Sequence, residues 1–215
     1  NSIQWMAQMS HQREISEFVQ RLKKLLSYNL GKEGRQTTLR MELEIVKEYI
    51  ALQQMRYDFI IEMNIEDGSY LDQPTVRMLF QPLVENAIRY GLGDDEKISI
   101  QVFEDVARHL AVVTISDSGK GLNQEEIDEI NQPFDYDWEY WKNENRGIGL
   151  RYVKAMLESF YDGQTSLFVN SKKGFGTKIT ILLPVREPEE KKEKDKEVTL
   201  EENKVGQTDE CIDCR

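Results

Sequence analysis

The sequence predicts an α+β fold: a two-layer α/β sandwich preceded by a partial helical bundle. Three observations predict it. As far as residue 57, apolar residues recur at three- and four-residue steps, the spacing of one helical face. From residue 58 onward, alternating apolar runs mix with helical patterns without strict alternation, which favours segregated layers over a doubly wound parallel sheet. From Arg186 to Arg215 there is no aromatic residue and charge is almost continuous, so this stretch cannot bury enough apolar surface to offset its ordering entropy. The expected organisation is a helical dimerisation region over 1–57, a mixed domain over 58–185 and a disordered charged tail over 186–215.

Each element follows from local pattern. Residues 1–9 (NSIQWMAQM) read as the end of a helix. In the next helix, Ser10 is a candidate N-cap, Ile15, Phe18, Val19, Leu22, Leu25 and Leu26 form an apolar face, and Gly31 and Gly34 mark the stop. A further helix is expected from about Thr38 to near Asp58, with Leu39, Leu43, Val46 and Ile50 on one stripe. Helices with a single apolar stripe and short connections need a partner, in a bundle or a dimer. Beyond them, Phe59 to Ile65 is a candidate strand and Gln73 to Gly91 a helix. Lys97 to Glu104 and His109 to Ser116 read as strands, Gly147 to Tyr161 as a helix, and Thr165 to Asn170 and Thr177 to Pro184 as strands around the glycine turn 173–176.

Composition narrows the function. The 215 residues carry 39 acidic and 28 basic side chains, a net charge of −11 that argues against nucleic acid as a partner. No run of 18 apolar residues is present to span a membrane, and the N-terminus lacks a signal-peptide pattern. Cys211 and Cys214 form a Cys-x-x-Cys pair in the tail, where neither a redox fold nor two further zinc ligands accompany them. Two histidines, His11 and His109, are too few for a multi-histidine metal centre.

Three short motifs carry chemistry because they occur together and in order. Glu85-Asn86-Ala87 lies in the helical stretch QPLVENAIRYG, after Leu79, Phe80, Leu83 and Val84, so a polar pair falls on a largely apolar helix. Asp117-Ser118-Gly119-Lys120-Gly121 follows the apolar strand LAVVTIS; an acid at a strand end followed by two glycines can face a planar ligand while the backbone closes on it, although plain turns use the same residues. Arg146-Gly147-Ile148-Gly149-Leu150 opens an amphipathic helix, whose exposed N–H groups suit either an anion or a simple glycine cap. Neither a P-loop nor a GxGxxG motif is present.

The succession ENAIRYG, DSGKG, RGIGLRYV and GFGTKITILLP resembles the N, G1, G2 and final glycine boxes of the GHKL (Bergerat-fold) ATP-binding domain of sensor histidine kinases, and the preceding helices are similar to the LytS/YesM-type subgroup. The resemblance implies a phosphoryl-transfer enzyme with ATP and Mg²⁺ as cofactors. It implies Asn86 as the Mg²⁺ ligand and Glu85 as a catalytic base or orienting group. Asp117 would accept from the adenine amino group, with Gly119 and Gly121 making room for the base and Thr177 supporting that end through its hydroxyl. The backbone of Gly147, Gly149 and Leu150 would hold the phosphates, with Arg89 and Tyr90 reaching phosphate or ribose. Tyr90 stands where the subgroup often has histidine.

Residues 122–146 would then form a lid over the nucleotide, with eight acidic side chains against Lys142 and Arg146, and with Phe134, Tyr136, Trp138, Tyr140 and Trp141. The subgroup's acceptor histidine falls in a segment that would end just before Asn1, so neither His11 nor His109 is expected to be the acceptor. The implied partners are ATP, a second copy through the N-terminal helices and a response-regulator receiver domain. The implied setting is the cytoplasmic portion of a bacterial plasma-membrane protein, attached through an upstream region. Two other readings stay open: another GHKL ATPase, in which Glu85 activates water, and a nucleotide-binding or dimerisation module without catalysis.

Overall fold

The computed structural model describes residues 13–31, 37–93, 97–131 and 148–186. The expected helix end at 1–9, the Ser10 cap, His11, Gly34, Gly147, the aromatic part of the lid and the tail beyond Arg186 lie outside the described residues.

Helix α1 spans Arg13–Asn29 and α2 spans Leu39–Gln54, with the two-residue strand β1 (Thr37–Thr38) between them. Thr38 caps α2, its hydroxyl accepting from the Met41 amide at 3.2 Å, and the helix stops four residues short of Asp58 in a turn over 55–57. Glu48 of α2 ties the two helices together, pairing with Arg21 at 2.5 Å and Lys24 at 3.0 Å. Between them Leu25, Tyr28, Ile45 and Leu52 form a small apolar cluster.

The rest is a five-stranded sheet with helices on one face. Strands β2 (Ile60–Ile65), β4 (Lys97–Asp105), β5 (Leu110–Asp117), β7 (Thr177–Pro184) and β6 (Ser166–Ser171) lie in the order β2-β4-β5-β7-β6. Only the β2–β4 pair is parallel, as expected for a mixed α+β sheet. The period-two pattern turns one side inward: Ile98, Ile100 and Val102 of β4, Ala111, Val113 and Ile115 of β5, and Ile179, Ile181 and Leu183 of β7 are all buried. Against them pack Leu83, Val84 and Ala87 of α3 (Gln81–Tyr90), and Leu150, Val153 and Leu157 of α5 (Ile148–Phe160). Leu39, Leu43, Val46 and Ile50 of α2 belong to the same core, so the stripe expected to face a bundle covers the sheet domain instead.

Two elements differ from the sequence expectation. The helix expected over 73–91 occupies only Gln81–Tyr90. Pro82 starts it, since a fixed φ and a missing N–H suit the first turn. Before it, Pro74–Thr75 form strand β3, which pairs antiparallel with β1, and Met78 takes a left-handed φ of 58° that no helix admits. The second difference is α4 (Gln124–Asn131), a helix inside the stretch read as lid. Asn123 and Glu126 cap it reciprocally, each side chain accepting the other's backbone amide at 2.9 Å.

Candidate functional site

A cavity of about 630 Å³ opens between α3, α4, the first turn of α5 and the ends of β5 and β7. Nine of the residues singled out from sequence line it: Glu85, Asn86, Arg89, Tyr90, Asp117, Gly121, Gly149, Leu150 and Thr177. Gly119 packs behind the wall, and Gly147 lies outside the described residues.

At one end, Asp117 is the last residue of β5, aimed into the cavity by the strand it terminates. Its Oδ1 accepts from the amides of Gly119 and Thr177, both at 3.1 Å. Burial pushes this carboxyl above the ordinary range, and the two amides partly offset that rise. Both amides bind one oxygen, which leaves Oδ2 as the acceptor for a ligand. Beneath Asp117, Ile115 and Ile179 pair across β5 and β7 and supply an apolar floor for a flat ring. The Thr177 hydroxyl shares a hydrogen bond with Ser171 at 2.9 Å, so this residue reaches Asp117 through its backbone amide.

The walls of this end meet without side chains. A Cβ on Gly91 would lie 2.4 Å from Asp117 Cγ, and one on Gly119 would lie 2.4 Å from Gly91 Cα. A Cβ on Gly176 would lie 2.0 Å from the Asp117 carbonyl oxygen, at a φ of 87° that already favours glycine. The glycines thus let three separate loops converge on one carboxylate.

At the other end, α3 presents Glu85 and Asn86 half-buried, with Gly149 facing Asn86 across the gap: a Cβ there would stand 3.5 Å from Asn86 Nδ2. Glu85 and Arg89 form an exposed pair at 3.9 Å, of little energetic weight. The first turn of α5 brings its amide groups and positive dipole end to the same place.

Several residues in or beside the cavity wall carried no assigned role in the sequence reading. Arg151, 3% exposed, brings a permanently charged guanidinium to the wall, 4.0 Å from Glu129 of α4. Its place directly after the G2 glycines was the available signal. Lys120 lies 4.7 Å over the Tyr90 ring at the cavity edge, and Ser171 accepts the Leu122 amide at 2.8 Å, fixing the loop after Gly121. The combination of apolar floor, half-buried acid and helix N-terminus suits a ligand with a flat base at one end and phosphates at the other.

Sheet order, one-sided helices and this cavity define an α+β sandwich with a ligand-sized cavity at one end of its sheet. The comparisons agree. Residues 71–187 match the family model "Histidine kinase-, DNA gyrase B-, and HSP90-like ATPase", and the chain belongs to that family. Residues 1–60 match a second model, "Histidine kinase". Sensor protein kinase HptS of Staphylococcus aureus (strain bovine RF122 / ET3-1) is 30% identical over 168 residues, covering 78% of this chain and 32% of the relative; the protein of strain USA300 aligns with the same identity and coverage. The chain therefore spans about a third of the length of the curated relatives it matches. Among solved structures, the Acinetobacter baumannii histidine kinase AdeS shares the fold at 16% identity and a TM-score of 0.50, over 85% of this chain and 84% of that one.

Proposed function

We propose that this chain is the catalytic part of a two-component sensor histidine kinase of the LytS/YesM type. It binds ATP with Mg²⁺ and passes the γ-phosphoryl group to a histidine of a longer protein, for relay to an aspartate of a response-regulator receiver domain. The observation that carries this reading is the convergence of Glu85, Asn86, Asp117, Gly149 and Thr177, from four separate stretches of sequence, on one cavity.

In this reading the adenine lies on Ile115 and Ile179 and donates its amino hydrogen to Asp117, while Gly119 and Gly121 keep the wall close. The phosphates meet the α5 amides of Gly149 and Leu150, and Arg151 adds positive charge there. Gly147, Arg89 and Tyr90 keep the roles the family resemblance implies. Mg²⁺ would be held through the Asn86 carboxamide oxygen and the phosphates, a hard cation's usual arrangement of few protein oxygens plus substrate and water. Among the described residues no cluster of acids, histidines or cysteines forms a cage of its own, which suits an ion that arrives with its nucleotide. When bound, the ion neutralises charge on the β- and γ-phosphates. Glu85 takes the proton from the histidine ring as a ring nitrogen attacks the γ-phosphorus and the bond to the bridging oxygen breaks, releasing ADP.

Mixing the chain with γ-labelled ATP, Mg²⁺ and a peptide carrying the acceptor helix tests this reading. Label is expected on the peptide and not on the chain, because neither His11 nor His109 serves as acceptor. Label on the chain would overturn the expectation that neither of its histidines is an acceptor, and steady ATP turnover without any phosphohistidine would replace the kinase with another ATPase of the family. An absence of ATP binding in calorimetry would leave only a non-catalytic module.

The helical region, proposed as residues 1–57 ahead of an ATP-binding domain over 58–185 and a tail over 186–215, also supplies a dimer contact. On α1, Ile15, Phe18, Leu22 and Leu26 stand 39–52% exposed on one face, the pattern of a helix awaiting a partner helix. Sedimentation should show a dimer that becomes monomeric in Leu22→Glu/Leu26→Glu; a wild-type monomer would remove the homodimer. No described helix is long and apolar enough to cross a membrane, and attachment to the cytoplasmic face of a membrane would come through other parts of the longer protein.

A further inference from the structure

Among the described residues, the candidate chemistry leaves one buried carboxylate unused. Glu42, in the first turns of α2, is 2% exposed, and its carboxylate is spent on the approach to another helix. Oε1 accepts from the Met78 amide at 2.9 Å and Oε2 from the Leu79 amide at 2.7 Å. These are the residues that lead into α3, a helix whose own N-cap position, Phe80, offers no side-chain cap. Glu42 therefore caps α3 from a different helix, with its negative charge at the positive end of the α3 dipole. The bonds also hold Met78 in its left-handed conformation, φ 58°, which a non-glycine residue keeps only under external constraint. From the other side, the Tyr28 hydroxyl donates to Glu42 Oε1 and shares a 2.5 Å hydrogen bond with Thr37. Arg77 lies 4.5 Å over the Tyr28 ring and donates to the Tyr28 carbonyl at 2.8 Å. One carboxylate thus joins α1, α2 and the start of the helix that carries Glu85 and Asn86.

We propose that Glu42 is a positioning residue for the Mg²⁺-phosphate end of the site: its cap fixes the height and rotation of α3, and its bond to Tyr28 makes that placement depend on where α1 sits. This rests on the ATP-Mg reading above. The adenine end is built mainly on β5 and β7 and, among the described residues, meets α3 at Gly91 and Tyr90, the opposite end of the helix from the capped amides, so the two ends should respond differently when the cap is weakened.

The test is ATP titration of the chain in Mg²⁺ and in EDTA, for wild type, Glu42→Gln and Tyr28→Phe. A glutamine keeps the volume but replaces one acceptor oxygen by a donor facing a backbone N–H, so one amide loses its partner. With outer-shell substitutions costing about ten-fold or more in metal affinity, Glu42→Gln should lose about ten-fold of the affinity gained from Mg²⁺ while its EDTA affinity stays within about two-fold of wild type. Tyr28→Phe, which leaves both amide bonds intact, should lose less in the same direction. Unchanged Mg²⁺ dependence in a folded Glu42→Gln, or equal losses in Mg²⁺ and EDTA that track a lowered Tm, would overturn the proposal. Should Glu42→Gln fail to fold, a wild-type response from Tyr28→Phe would overturn it as well. A wild-type chain that binds no ATP under either condition would refute the site reading itself, and this inference with it.

Discussion

Asp117→Asn should weaken ATP binding by about 100-fold or more while leaving the fold intact, an effect of about 2.7 kcal/mol. The geometry separates these two consequences. Asn Oδ1 can still accept from the Gly119 and Thr177 amides that now bind Asp117 Oδ1, so the loop ends keep their anchor. The second position becomes an NH₂ donor facing the amino donor of the adenine proposed to lie there. A hydrogen bond to a charged acceptor, worth about 1.5–3 kcal/mol, is replaced by a mismatch in a site that water cannot easily repair. Calorimetry with ATP and thermal unfolding check the two halves; a loss in affinity below about ten-fold would remove Asp117 from the adenine contact. The carboxyl must be ionised to accept from the base, and burial raises its pKa. ATP affinity is accordingly expected to fall as pH drops through a range above that of an ordinary carboxylate, and Asp117→Asn should abolish that pH dependence.

Glu85→Gln should reduce phosphoryl transfer to a supplied acceptor by about 10²–10⁴-fold with little change in ATP affinity, because a general base acts in the transition state and contributes little to ground-state binding. Glu85 lines the cavity half-exposed, on the α3 turn that also carries Asn86, where a carboxylate can meet a donor arriving from outside. Asn86→Ala should behave differently. It removes the carboxamide proposed for Mg²⁺, so both transfer and the Mg²⁺-dependent part of ATP binding should fall together. Single-turnover transfer with saturating nucleotide distinguishes the pair. A Glu85→Gln chain retaining more than about a tenth of the wild-type rate would assign the proton to another group.

Much of the sheet domain was legible because its strands are half-buried and obey a clean period of two. Ile98, Ile100 and Val102, or Ile179, Ile181 and Leu183, can be assigned to the inner face from sequence alone. The glycine motifs were legible for a related reason, since their residue types are the ones a close backbone approach demands. What failed to show was long-range. Nothing in the run QPTVRMLF announces that Thr75 pairs with Thr37, or that a carboxylate 36 residues earlier bonds to the Met78 amide. Glu42 itself looks like any polar residue between two apolar helix positions, and its burial is decided by tertiary contacts. Pro82, by contrast, was a local signal for the α3 start that the apolar run before it obscured. Likewise Asn123 and Glu126 spelled a capping box inside an acidic stretch read as loop.

The glycine contacts around Asp117 have a consequence for how this site can change over generations. Gly91, Gly119 and Gly176 come from three distant stretches, yet each occupies space that one of the other two or Asp117 would otherwise need. A mutation that adds even a methyl group at one of them forces the facing backbone or Asp117 to shift. Divergent members of such a lineage should therefore drift freely in the strands between these points and inherit the three glycines together or lose the pocket together.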